Sequence, residues 1–70
     1  MRINWQQTGP DQYIAFVNDC VLCVGKIDAP PDLLEKPWYW EVFYSGGILH
    51  YDYSETERGA KIAASKRAAK

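Results

Sequence analysis

Seventy residues with 47% hydrophobic content and a net charge of −1 are enough for one small domain. They exclude a second core, a deep enclosed active site and wholesale disorder. Ordering the chain costs roughly 1.5 kcal/mol per residue, which nearly cancels the apolar burial available at this size, and large rings are one way for so short a chain to bury enough area.

The charge is unevenly placed. Residues 1–57 hold nine acids and three bases (Arg2, Lys26, Lys36), a net of −6, whereas residues 58–70 hold five bases and no acid, a net of +5. An acidic body with a basic tail points to charged partners. No apolar run approaches a membrane span, and MRINWQQTGP lacks the apolar core of a signal peptide. The expected setting is therefore cytoplasmic and reducing, with Cys20 and Cys23 as free thiols.

In chain order, Ile3–Gln7 reads as a short first strand, stopped by the turn cluster Thr8-Gly9-Pro10-Asp11. Tyr13–Val17 is apolar and β-prone. Asn18-Asp19, two residues that tolerate positive φ, predicts a two-residue hairpin turn into a partner strand Cys20–Ile27. The segment DAPPDLLEKP, residues 28–37, has three prolines and cannot be a central strand, though Leu33 and Leu34 suit one helical turn after Pro31.

WYWEVFYSGGILHYDY, residues 38–53, holds seven of the ten aromatic residues. Gly46-Gly47 predicts a two-residue hairpin loop that pairs Ser45 with Ile48, Val42 with Tyr51 and Trp40 with Tyr53. Alternation then collects Trp38, Trp40, Val42, Tyr44, Leu49, Tyr51 and Tyr53 on a core face. Tyr39, Glu41, Phe43, Ser45, Ile48, His50 and Asp52 fall on the other. This register sets Glu41 opposite Asp52, an unfavourable pair. A one-residue slip would remove that conflict but break up the apolar face, which costs more.

Ser54-Glu55-Thr56-Glu57 reads as a capping box, followed by a helix from about Glu55 to the C-terminus. Gly59, Ala60, Ala63, Ala64 and Ala68 share one small, flat face that can approach the sheet closely beside large rings. Ile62 falls outside it. The expected fold is α+β: an antiparallel β-meander of four to five strands with one C-terminal α-helix packed on one face, a single domain spanning residues 1–70.

Few residues suggest chemistry. Cys20 and Cys23 match C-x-x-C, but thiols three apart on an extended strand point to opposite faces, and a zinc site needs about four ligands. They read as small strand residues. His50, the one histidine, lies between two carboxylates on an open face without a positioned nucleophile, so it reads as a surface residue. No phosphate loop, HExxH or G-x-S-x-G is present. The expectation is a protein that is not an enzyme and takes no cofactor or metal.

Two binding surfaces remain. Tyr39, Glu41, Phe43, His50 and Asp52 combine rings with negative charge and suit a basic protein partner, with Leu33 and Leu34 as an added apolar anchor. Arg58, Lys61, Lys66, Arg67 and Lys70 offer a basic helix to nucleic acid, although a pI near 5.7 runs against it.

The sequence W-x-W-x-V, a Gly-Gly hairpin and SETERGAKIAASKRAAK, over residues 38–70, resembles the endings of small phage and prophage proteins. Some of those are inhibitors of host machinery, including anti-CRISPR proteins. The resemblance implies a phage-encoded inhibitor in the host cytoplasm, binding a host protein or nucleoprotein complex and blocking its nucleic-acid or partner site. A second likeness is to the sheet-plus-helix arm-binding domains of phage integrases and to double-stranded-RNA-binding domains. Integrase-type sheets read DNA with basic residues where this face has Glu41 and Asp52; double-stranded-RNA-binding domains begin with a helix, which residues 1–13 do not resemble.

The reading that follows is a non-catalytic protein-binding module. The alternatives are a small nucleic-acid-binding domain and a structural subunit that dimerises through an edge strand, the protein being a monomer or homodimer with no membrane partner.

Overall fold

A computed structural model describes residues 3–27, 36–47 and 49–68. Five strands run in chain order: β1 (Gln6–Gly9), β2 (Gln12–Val17), β3 (Cys20–Lys26), β4 (Trp38–Phe43) and β5 (Leu49–Ser54). They form one antiparallel sheet in the order β1-β2-β3-β4-β5, followed by helix α1 (Glu57–Ala68). This is the expected α+β meander. The predicted helical turn at Leu33-Leu34 lies outside the described residues.

The β2–β3 hairpin follows its turn chemistry. Val17 pairs with Cys20 across Asn18-Asp19, and Asn18 takes φ 55°, a left-handed conformation that asparagine tolerates well. β1 begins three residues later than the expected Ile3–Gln7 and runs on through Thr8 and Gly9 of the expected turn cluster, so Ile3 and Trp5 lie before it. Both pack against the side of the core. β3 and β4 meet in long antiparallel register, from Val21↔Phe43 to Lys26↔Trp38. Beyond them the Ile27 N–H donates to the Pro37 carbonyl at 2.7 Å.

The β4–β5 hairpin differs from the sequence expectation by one residue. Phe43 pairs with Leu49, Val42 with His50, Glu41 with Tyr51, Trp40 with Asp52 and Tyr39 with Tyr53. The connection is residues 44–48, with the Gly47 N–H donating to the Tyr44 carbonyl at 2.9 Å and Gly47 at φ 86°. A turn through Ser45-Gly46, followed by glycine in the left-handed region, makes a five-residue loop instead of a two-residue one. An odd loop length moves every β5 side chain to the opposite face.

The slip is tolerated because α1 lies over β3 and β4 and barely reaches β5. The helix-side positions of β5 are therefore marginal, and His50, Asp52 and Ser54 can occupy them without losing all contact with water. The core consists of Ala15, Val17, Cys20, Leu22, Val24, Trp40 and Val42 from the sheet, with Ala60, Ala64 and Ala68 from the helix. Trp38 and Tyr44 pack partly buried beside it, as expected. Tyr51 and Tyr53, expected beneath the helix, lie on the other face.

The helix begins two residues later than expected. Thr56 is the N-cap: its Oγ1 accepts the Gly59 N–H at 3.0 Å, and its carbonyl accepts the Ala60 N–H at 3.0 Å. Ser54, the expected cap, is the last residue of β5, and its Oγ lies where a Cβ on Gly59 would clash at 2.5 Å. Glycine at position 59 thus lets the first helical turn close against the strand end.

Candidate functional site

The sheet has one covered face and one open face. On the open face β2 contributes Gln12, Ile14 and Phe16, β3 contributes Val21, Cys23 and Gly25, β4 contributes Tyr39, Glu41 and Phe43, and β5 contributes Leu49, Tyr51 and Tyr53. Five of these apolar side chains are strongly exposed: Phe16 at 68%, Tyr51 at 64%, Tyr53 at 48%, Leu49 at 42% and Phe43 at 41%. Scattered surface hydrophobics are ordinary, but these share one face: Phe16 pairs with Val21, Val21 with Phe43 and Phe43 with Leu49, with Tyr51 and Tyr53 following along β5.

Glu41 is the acidic residue on this face. It is half-buried, paired directly with Tyr51, with Tyr39 two residues before it and Tyr53 diagonal to it. Ile27, Tyr39, Glu41, Leu49, Tyr51 and Tyr53 line a shallow groove of about 560 Å³. The Tyr51 and Tyr53 rings stand nearly perpendicular, at 85° with centroids 6.4 Å apart. Tyr39 is held by its neighbour across β3: a Cβ on Gly25 would lie 2.5 Å from the Tyr39 hydroxyl oxygen and 2.6 Å from its ring carbons. The hydroxyl end of the ring sits over a glycine, a close approach that any other residue would obstruct. Burial, and then the Glu41 charge, push the Tyr39 phenol and the Cys23 thiol above their ordinary pKa values.

Of the expected protein-binding set, Tyr39, Glu41 and Phe43 share this face. His50 and Asp52 do not; the register puts both on the helix side. Arg67 Nη2 lies 2.7 Å from His50 Nδ1 and 3.0 Å from Nε2, and the His50 ring packs edge-on against Tyr44, centroids 5.5 Å apart. The Tyr44 hydroxyl donates to the Arg67 carbonyl at 2.9 Å, satisfying a carbonyl near the helix end. Asp52 accepts the Tyr53 backbone N–H at 2.8 Å, which occupies a donor on edge strand β5. At the other edge, β1 has four residues and a register shift between Gln7 and Gly9. Short, irregular or self-bonded edges discourage strand pairing between chains. Leu33 and Leu34 lie outside the described residues.

The missed members of the patch are Phe16, Leu49, Tyr51 and Tyr53. The like-charge Glu41–Asp52 conflict was the signal that would have found the last three.

The basic helix is partly turned inward. Lys61 Nζ lies 2.9 Å from Glu57 Oε2, 3.8 Å from the Tyr13 ring centroid and 5.7 Å from that of Trp5. The hydrogen bond from Lys61 holds the Glu57 carboxyl below its usual range, and hydrogen bonding to Glu57 raises Tyr13. Arg67 is engaged with His50. Arg58 and Lys66 are exposed, and Lys70 lies outside the described residues. Cys20 is buried on the helix side and Cys23 half-buried on the open face, so the two thiols point apart. Among the described residues no group of three or more His, Cys, Asp or Glu side chains converges, and no helix is long and apolar enough to cross a membrane.

The chain matches no family model, and neither a curated protein nor a solved structure matches it.

Proposed function

We propose that this protein is a non-catalytic binding module that docks a partner protein on the open face of its sheet. The supporting observation is the contiguous exposed row of Phe16, Phe43, Leu49, Tyr51 and Tyr53. Rings of this kind anchor protein interfaces, because each buries a large area while losing little side-chain freedom. In the host cytoplasm, a small inhibitor of the phage type would use such a face to cover a functional surface on a host complex. Lys61 and Arg67 are committed to contacts within the domain, which weakens the helix as a nucleic-acid surface.

Photocrosslinking tests the face directly. A benzophenone amino acid placed at Phe16 or Tyr51 should capture a protein from the cognate lysate, and one placed at Ile62, exposed on the helix, should not. Capture from Ile62 with none from Phe16 and Tyr51 would refute the reading.

A further inference from the structure

Glu41 is set among rings, and among the described residues no cation pairs with it. It is half-buried, and the one ion pair among the described residues is Lys61–Glu57 on the other side of the sheet. A carboxylate beside apolar walls loses part of its hydration, and an opposite charge nearby restores the balance. The surrounding rings offer a second attraction, because tyrosine faces carry negative charge density that binds ammonium and guanidinium groups.

The same chemistry operates inside the molecule on its covered side. There Glu57, Tyr13 and Trp5 gather around the Lys61 ammonium, 2.9 Å from the carboxylate and 3.8 Å from the nearer ring centroid. The open-face groove has the same components, a carboxylate and aromatic rings, assembled from Glu41, Tyr39, Tyr51 and Tyr53. This chain brings none of its own described cations to it.

We propose that Glu41 and its three tyrosines form a receptor for a cationic side chain, a lysine or arginine carried by the docking partner. The inference rests on the docking-face reading and names the partner's chemistry. Residues 1–57 carry a net charge of −6, and Arg58, Lys61, Lys66 and Arg67 sit on the helix across the sheet. A basic partner approaching the open face therefore meets few like charges, and the groove orients one of its cations. A second copy of this chain is the poorer occupant. Twofold stacking of open faces would bring two Glu41 carboxylates into one apolar interface, where unpaired like charges are costly.

Titration of ¹⁵N-labelled protein with N-acetyl-lysine methylamide, and with the neutral norleucine analogue, tests this. The lysine amide should shift the resonances of Tyr39, Glu41, Tyr51 and Tyr53 and bind roughly three- to tenfold more tightly than norleucine. Glu41→Gln keeps the side-chain shape and should bring the two ligands to within about twofold, with an unchanged circular dichroism spectrum. Equal binding of both amides to the native protein would overturn the cation receptor while leaving the docking face standing. Shifts confined to the helix would also overturn it, as would a dimer in sedimentation that Tyr51→Arg dissolves. Failure of the docking face itself reads out separately, as absent crosslinks from Phe16 and Tyr51.

Discussion

The two faces of this sheet use similar residues to opposite ends. On the covered face, Leu22, Val24 and Val42 are sealed beneath Ala60, Ala64 and Ala68, with Trp40 nearly so. On the open face Phe16, Phe43, Leu49, Tyr51 and Tyr53 meet water. The difference does not lie in hydrophobicity, since both sets are apolar or aromatic. It lies in where a single twelve-residue helix can reach, which is β3 and β4. A domain this small can cover one face of a five-stranded sheet, and the apolar residues on the other stay exposed.

The contrast can be broken most directly at Leu22. Leu22→Ala removes a fully buried side chain from the middle of the core and should cost about 2–5 kcal/mol, enough to leave much of so small a domain unfolded. Urea denaturation followed by tryptophan fluorescence measures it, and a loss under 1 kcal/mol would show that the covered face is not the stabilising one. Ala64→Leu should come next, at about 1–3 kcal/mol by the same measurement, because the helix rests on the sheet through alanines with no space for a larger side chain. Thr56→Ala deletes the cap that accepts the Gly59 N–H and should cost about 1 kcal/mol, with early fraying of the first helical turn in hydrogen exchange.

On the open face the expected effect is small. Phe16→Ser should change stability by less than about 0.5 kcal/mol while reducing partner capture, so a large loss of stability would assign the patch to folding instead of binding. The smallest effect is a pH dependence on the helix. Because Lys61 holds the folded-state pKa of Glu57 below its unfolded value, this contribution is present above the unfolded pKa. It is lost as pH falls through the lowered folded one. For a part-buried i,i+4 pair of this kind it amounts to about 0.3–0.5 kcal/mol, and Glu57→Gln should remove that step from the acid side of the stability profile.

Much of this was legible in the residues. Asn18-Asp19 announced its hairpin, the alanine series announced the helix face, and Trp38, Trp40, Val42 and Tyr44 announced the covered side of β4. Tyr39, Glu41 and Phe43 were placed on the outer face from alternation alone. Apart from the shifted bounds of β1 and the helix cap, the difference lies in one loop. Reading Gly46-Gly47 as a two-residue turn moved Tyr51 and Tyr53 inward and His50 and Asp52 outward, although Glu41 and Asp52 then opposed each other. The repulsion of that pair favours the slipped register, and the clean apolar face that opposes it is worth little on β5 because the helix hardly covers that strand.

Local chemistry therefore determined the strands, the β2–β3 turn and the helix with its small inner surface, because each depends on residues close together in the chain. The facing of β5 required the whole fold. Its six residues alternate polar and apolar, and they can be placed either way until the length of the 44–48 loop and the span of the helix are known. Because the helix meets β5 only at its margin, polar His50 and Asp52 are tolerated on its side. Tyr51 and Tyr53 then stand beside Glu41 on the face that the helix leaves open.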